Sequence, residues 1–225
     1  GQGATGCIEQ SLAQHRGGNL LVLQTCPLDF GVDLVFHSAT KYLGGHNDLL
    51  AGSVCGSASL ISAIKDFRDI VGTMSDPQVS YLLIRGLKTL ALRIGRQNQT
   101  TLAIARFLER HQKVKRVYYP GLSSHADYEV ASRQMAGFGG VVSFEIDGDL
   151  DGVRAFVHAL EIPYLAPSLG GVETLVSHPA TVSYHDLSWE DRQSIGITDE
   201  LIRYSVGIED SADLIADLGN ALATI

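Results

Sequence analysis

Apolar residues recur along this chain first in short unbroken runs and then at helical spacing. Asn19-Leu20-Leu21-Val22-Leu23 and Asp33-Leu34-Val35-Phe36-His37 are too short for helices and apolar at successive positions. Both read as buried strands, the first apolar on both faces as parallel strands tend to be. Residues before Asn19 give only a weak helical rhythm at Ile8, Leu12 and His15. Pro27-Leu28-Asp29-Phe30-Gly31 reads as a turn or short helical piece closed by glycine, and residues 51–56 as another strand. Residues 58–71 predict a helix with Leu60, Ile61, Ile64, Phe67 and Ile70 on one face. Asp76 is placed to cap a further helix with Pro77 at its first position. Helical character then continues to His111, about 35 residues. Gly86 and Gly95 interrupt it, which predicts a bend or a close contact there. A helix of that length bridges two domains, with the boundary near Thr100 and units of 1–99 and 100–225.

The second half alternates more closely. Strands are expected at 114–119, 140–146 and 201–206, and helices at 125–135, 151–160, near Trp189 and at 211–223. Residues 162–184, rich in Pro, Gly, Ser and Thr, read as irregular. Strands and helices at this spacing predict a smaller α/β or α+β unit with helices covering one face. The fold class is therefore α/β.

At 225 residues the chain can bury a substantial core, and 45% apolar with 19% charged residues is a globular composition. A net charge of −8 without any basic, aromatic-interleaved patch argues against a nucleic-acid partner. No apolar run has transmembrane length and no charged n-region precedes an apolar signal core, so no membrane partner is expected. The chain starts without methionine, which suggests a processed or truncated product. Cys7, Cys26 and Cys55 are too few and too irregular for a disulfide framework or zinc site. They suggest a reducing, cytoplasmic compartment, with Cys55 a buried apolar filler.

Candidate chemistry gathers at His37-Ser38-Ala39-Thr40-Lys41-Tyr42-Leu43-Gly44-Gly45-His46-Asn47-Asp48. A lysine at the mouth of an apolar strand is either an ordinary solvent-facing residue or an amine whose proton affinity is reduced for nucleophilic work. Ser38 and Thr40 beside it are hydroxyl donors of the kind that hold phosphate. Ala166-Pro167-Ser168-Leu169-Gly170-Gly171-Val172-Glu173-Thr174 is either an anion-binding glycine loop or a plain surface turn. Arg203, inside the apolar run 201–206, needs a partner, either a substrate carboxylate or an internal glutamate. The eight histidines show no metal spacing, and no Walker loop, Gly-x-Ser-x-Gly or dinucleotide fingerprint occurs.

These pieces together resemble the Cys/Met-metabolism, or trans-sulfuration, family of pyridoxal-phosphate enzymes. The resemblance is carried by Ser38-Ala39-Thr40-Lys41-Tyr42 with Gly44-Gly45-His46, Arg85-Gly86-Leu87-Lys88-Thr89-Leu90, Tyr119-Pro120-Gly121-Leu122 and Gly137-Phe138-Gly139-Gly140. Pro167-Ser168-Leu169-Gly170-Gly171-Val172-Glu173 and Arg203-x-Ser205-Val206-Gly207-Ile208-Glu209 continue it in family order, from Pro27 to the end. Segments 46–52 and 162–168 are most similar to the cystathionine γ-synthase group. The resemblance implies the C-terminal portion of a fold-type-I (aspartate-aminotransferase-like) large domain followed by a smaller α/β domain.

It further implies pyridoxal 5'-phosphate as cofactor and amino-acid substrates. Lys41 would be the Schiff-base lysine and proton carrier, with Ser38 and Thr40 on the phosphate. Arg203 with Ser168 would hold the substrate carboxylate, and Glu173 would influence substrate preference. The implied reaction is γ-replacement, in which an activated homoserine ester and cysteine give cystathionine; elimination by a lyase and a non-catalytic remnant are the alternatives. A homotetramer is implied as well, weakened by the missing family segment. That segment supplies a Gly-Met turn, a ring-stacking tyrosine and an aspartate to the pyridine nitrogen. Here the first aspartate of the chain is Asp29, and residues 1–26 read as a divergent junction.

Overall fold

A computed structural model describes residues 24–225. The strand expected at Asn19–Leu23, the rhythm around Ile8 and Leu12, and Cys7 lie outside the described residues. After a short 3-10 turn, Pro27–Phe30, strand β1 (Leu34–Ser38) and strand β2 (Gly52–Gly56) form a two-stranded antiparallel sheet. Its register pairs Leu34 with Gly56 and Ser38 with Gly52. Helices α1 (Ala58–Val71), α2 (Pro77–Leu87) and α3 (Leu90–Glu109) follow. Asp76 caps α2 by accepting from Gln78 N at 2.7 Å, and Pro77 takes the first position, where an N–H would go unused.

Several expectations are corrected here. β1 is not a buried strand: as half of a hairpin it hides Val35 and leaves Phe36 69% exposed. Cys55 is exposed rather than a core filler, because β2 is that hairpin's other edge. The apolar face expected on α1 exists, but no residue of the helix is buried and Ile70 is 83% exposed. The long helix to His111 is two helices, with the break at Lys88-Thr89. Thr89 N and Thr89 Oγ1 both turn back to Gly86 O at 3.2 Å, which ends the first helix and starts the second.

From α3 onward the chain builds one packed unit. Strands β3 (Val114–Tyr118), β4 (Val141–Ile146), β5 (Tyr164–Leu165), β6 (Leu175–Ser177) and β7 (Leu201–Ser205) form a five-stranded sheet in the order β3-β4-β7-β6-β5. All its pairs are antiparallel except β5 with β6. β5 and β6 lie inside the stretch expected to be irregular. Helices α4 (Tyr128–Gln134), α5 (Leu150–Ala159), α6 (Pro179–Val182), α7 (Trp189–Ser194) and α8 (Ser211–Leu222) complete the chain. The core lies between one sheet face and helices α3, α5 and α8, where Phe144, Ile202 and Tyr204 meet Ile104, Phe156 and Leu214. Strand alternation therefore sends Ser143, Arg203 and Ser205 to the opposite face. Among the described residues no helix is long and apolar enough to cross a membrane.

His178, between β6 and α6, is buried and bonds Thr181 Oγ1 at 2.9 Å and Asp199 O at 2.8 Å. Burial lowers its pKa from the ordinary 6.5, against the opposing pull of Asp199. The folded protein thus binds this proton less readily than the unfolded chain. The stability it contributes is complete above pH 6.5 and is lost as the pH falls through the lower folded value. The melting temperature is expected to drop between about pH 7 and about pH 5, and His178→Gln to flatten that slope. An unchanged slope in the variant would put the dependence on His37 and His125, which burial shifts the same way.

Candidate active site

β1 delivers the chain into a single wide turn, Ala39–Leu43, in which Lys41 (φ −89°, ψ −121°) departs from helical geometry. Gly44 N bonds Ala39 O at 2.8 Å and Gly45 N bonds Lys41 O at 2.7 Å, closing the turn. Lys41 Nζ then donates to Ser168 Oγ at 2.9 Å, across 127 positions of sequence. Burial lowers the pKa of the amine, and the positive charge of Arg203 lowers it further. Both effects favour the neutral, nucleophilic form. This lysine is not an ordinary solvent-facing residue.

Arg203 sits in the middle of β7, facing away from the helices. The register places it in one row with Ser143 of β4 and Ser177 of β6. Its Nη2 donates to Ser168 O at 3.0 Å, while its Nε and Ser143 Oγ are buried without hydrogen-bond partners. No ion pair forms at Arg203 among the described residues, so the internal glutamate is ruled out as its partner there. Burial lowers its pKa, but a guanidinium remains a cation at any working pH. A half-buried guanidinium with a buried, unused donor is matched by an anion offering two oxygens.

Ser168 thus touches both cations, the lysine through its hydroxyl and the arginine through its carbonyl. The glycine loop after it is neither a free anion nest nor a plain surface turn. Gly170 (φ +80°) lies against Tyr42, where a Cβ would come within 2.7 Å of the ring and 2.8 Å of the backbone nitrogen. Its N–H goes to Ser205 Oγ at 3.3 Å, and Gln97 Nε2 holds Gly171 O at 2.8 Å. Two glycine-rich segments far apart in sequence therefore meet backbone to ring. Glu173 Oε2 accepts from Asn47 Nδ2 at 2.8 Å, which ties the loop to the segment following Lys41.

The two hydroxyls beside Lys41 differ. Ser38 is exposed and makes no side-chain capping bond. Thr40 Oγ1 donates to Ala51 O at 3.3 Å and accepts from Ala51 N at 3.1 Å, so its hydroxyl is engaged.

With Lys41, Ser168 and Arg203 gathered in this order, comparison with known proteins becomes decisive. Residues 22–223 match the family described as Cys/Met metabolism PLP-dependent enzymes. The chain belongs to that family. Cystathionine gamma-synthase 1, chloroplastic, of Arabidopsis thaliana is 50% identical over 97% of this chain, which spans 41% of that relative. The tobacco (Nicotiana tabacum) protein of the same name is 51% identical, with 40% of its length spanned. The crystal structure of cystathionine gamma synthase from Xanthomonas oryzae pv. oryzae, in complex with aminoacrylate and cysteine, superposes with a TM-score of 0.86 at 42% identity. That match covers 90% of this chain and 52% of that one. The chain thus spans between two fifths and about half of the length of these relatives.

As a member of the Cys/Met-metabolism family, the chain is expected to serve pyridoxal 5'-phosphate, and its residues fit that group. An aldehyde needs an amine of reduced proton affinity, which Lys41 supplies. The orphaned Nε of Arg203 and the open hydroxyl of Ser38 are donors of the kind a carboxylate and a phosphate require.

Reasoning from sequence alone missed other residues of the site. Arg93 is 4% exposed and reaches Tyr42 O, Gly86 O and Thr89 Oγ1. Asn47 (φ 55°) and Gln97 hold the two loops together. For Arg93 the available signal is an arginine between apolar helix positions with no acid three or four residues away. For Asn47 and Gln97 the partner is a distant loop, and no local signal exists.

Proposed function

We propose that this chain carries the amine-bearing and carboxylate-binding part of a cystathionine γ-synthase-like enzyme. In this reading it replaces the γ-substituent of an activated homoserine ester with cysteine, a step of methionine biosynthesis. The observation that carries the reading is Ser168, bonded through Oγ to Lys41 at 2.9 Å and through O to Arg203 at 3.0 Å. One residue thereby fixes the spacing between a nucleophilic amine and a carboxylate-binding cation.

Pyridoxal 5'-phosphate, when bound, supplies the electron sink that acidifies the substrate carbons. The protein does the rest. Arg203 orients the amino acid by its carboxylate, the exposed hydroxyl of Ser38 serves the phosphate while Thr40 fixes the turn through Ala51, and Lys41 Nζ takes and returns protons at the substrate carbons. Lys41 can do so because it is half-buried beside another cation. Glu173, held by Asn47, stands at the edge of this space and would bias the choice of substrate. A homo-oligomer fits the large apolar side chains exposed between Leu28 and Leu92.

The test is a cofactor titration. Pyridoxal 5'-phosphate should produce a visible absorption band, removed by borohydride and absent in Lys41→Ala, with the reduced adduct mapping to Lys41. Labelling of Lys41 should begin at lower pH than labelling of the exposed lysines, because burial and Arg203 both depress its pKa. Adduct spread evenly over the lysines would refute the assignment. Elimination is the second reading, favoured by the 44% identity to L-methionine gamma-lyase of Fusobacterium nucleatum. Product analysis with a homoserine ester, with and without cysteine, separates the two.

A further inference from the structure

Arg93 is a buried cation without a buried anion. It is 4% exposed, and among the described residues it forms no ion pair. Its partners are neutral oxygens: Nη1 donates to Tyr42 O at 2.9 Å, Nη2 to Gly86 O at 2.9 Å and Nε to Thr89 Oγ1 at 3.1 Å. Burying an ionised group is costly unless its environment compensates, so the geometry that retains this one is informative. Gly86 O lies in the last turn of α2, where aligned carbonyl dipoles favour a cation. Tyr42 O belongs to the turn that carries Lys41, one residue beyond it. The planar fork of the guanidinium spans both segments at once, which a lysine ammonium on a single flexible stem does not do.

The packing around this fork is equally specific. A Cβ on Gly45 would collide with Arg93 Nη1 and Cζ, so the missing side chain of Gly45 is the notch that the guanidinium fills. Tyr42, Leu90 and Ile94 form a small buried apolar cluster, with Leu43 and Leu169 packed against it. Gly45 N in turn holds Lys41 O. The Lys41 turn is therefore fastened from two sides, by Gly45 at the Lys41 carbonyl and by Arg93 at the Tyr42 carbonyl. In between, Lys41 keeps its non-helical ψ of −121°. Were the Tyr42 carbonyl released, the turn would lose its tie to α2 and α3, and Lys41 would be freer to relax toward helical φ/ψ. Nζ would then swing away from Ser168.

We infer that Arg93 is a positioning residue: it clamps the Lys41 turn onto the end of α2 and so sets the direction in which the Lys41 amine leaves the backbone. The inference rests on the reading of Lys41 as the reactive amine, but part of its test does not depend on cofactor.

The experiment compares the full chain with Arg93→Gln, Arg93→Lys and Gly45→Ala by two readouts. The first is hydrogen exchange at the Gly44 and Gly45 amides, referenced to amides of β4 and β7. The second is the pH midpoint for borohydride trapping of pyridoxal 5'-phosphate on Lys41. Arg93→Gln should speed exchange at Gly44 and Gly45 by about ten- to hundredfold while β4 and β7 stay protected. It should also move the trapping midpoint upward, toward that of the exposed lysines. Arg93→Lys, which keeps the charge but loses the fork, should recover only part of either effect. Gly45→Ala displaces the guanidinium without removing it and should show the same loop-confined signature, which keeps the test alive if Arg93→Gln does not fold.

A purely structural joint between α2 and α3 would raise exchange at β4 and β7 in step with the loop, and that result overturns the inference. So does an unchanged loop in Gly45→Ala. If the unsubstituted chain shows no adduct on Lys41, the proposed function fails, while the exchange data still decide whether Arg93 clamps the turn.

Discussion

Arg203→Met is expected to give a protein that is more stable than the parent and no longer binds amino-acid carboxylates. Arg203 is half-buried, its buried Nε has no partner, and no acidic side chain pairs with it among the described residues. A half-buried charge that bonds a carbonyl, Ser168 O, and leaves a buried Nε unpaired is a net cost to folding. Methionine fills a similar volume, is apolar, and adapts its shape to the gap. Replacement of buried ionic groups by hydrophobic ones of like size is neutral to stabilising by roughly 1–4 kcal/mol, and at this half-buried site a gain of about 1 kcal/mol should appear as a higher denaturant midpoint at constant m.

The functional loss runs the other way. A carboxylate held by two charge-assisted hydrogen bonds loses roughly 3 kcal/mol or more when the guanidinium goes, about a hundredfold in affinity. Calorimetric titration with cysteine measures it. Arg203→Lys should keep the charge and still lose most of the binding, because a point charge does not reproduce the fork. A variant Arg203→Met that is less stable than the parent would show that Arg203 supports the sheet rather than awaiting a ligand.

How far the sequence announces this arrangement depends on whether a contact is local. The helix starts at Asp76-Pro77 and Asp210, and the strands β4 and β7, follow from caps and apolar runs within a few residues. β6 does not, because three residues between glycines and a proline carry no period of their own. Leu175, Val176 and Ser177 are buried only because β5 and β7 flank them. Lys41 and Arg203 are conspicuous as cations in apolar runs, yet the row Ser143–Arg203–Ser177 depends on a register that no single segment encodes. Arg93 is hidden for a different reason. Its partners are main-chain carbonyls, which every residue possesses, so residue types around it give no hint of its role. The exposed face of α1 shows the converse: a helical apolar stripe reports that a face wants cover, not that the described chain supplies it.

Gly86 and Gly95 look alike in sequence, each a glycine inside a helical stretch, and alanine should act on them with opposite signs. In a helix interior glycine costs about 0.5–1 kcal/mol relative to alanine, through backbone entropy. At Gly95, in α3, a Cβ would meet nothing within 4 Å, so Gly95→Ala should stabilise by about that amount. At Gly86, in α2, a Cβ would run into the carbonyl oxygen of Gly44 and lie 2.9 Å from that of Leu43. Both obstacles are backbone, and the Lys41 turn that carries them is fastened by Arg93, which cannot give without releasing Tyr42 O. Overpacking against a fixed backbone costs roughly 1–3 kcal/mol, more than the entropy gained, so Gly86→Ala should destabilise. It should also shift the Lys41 turn and weaken trapping of pyridoxal 5'-phosphate there, which Gly95→Ala should leave unchanged. Urea midpoints for the two variants, measured side by side, decide the matter: a Gly86→Ala protein as stable as Gly95→Ala would mean that α2 does not press on the Lys41 turn at all.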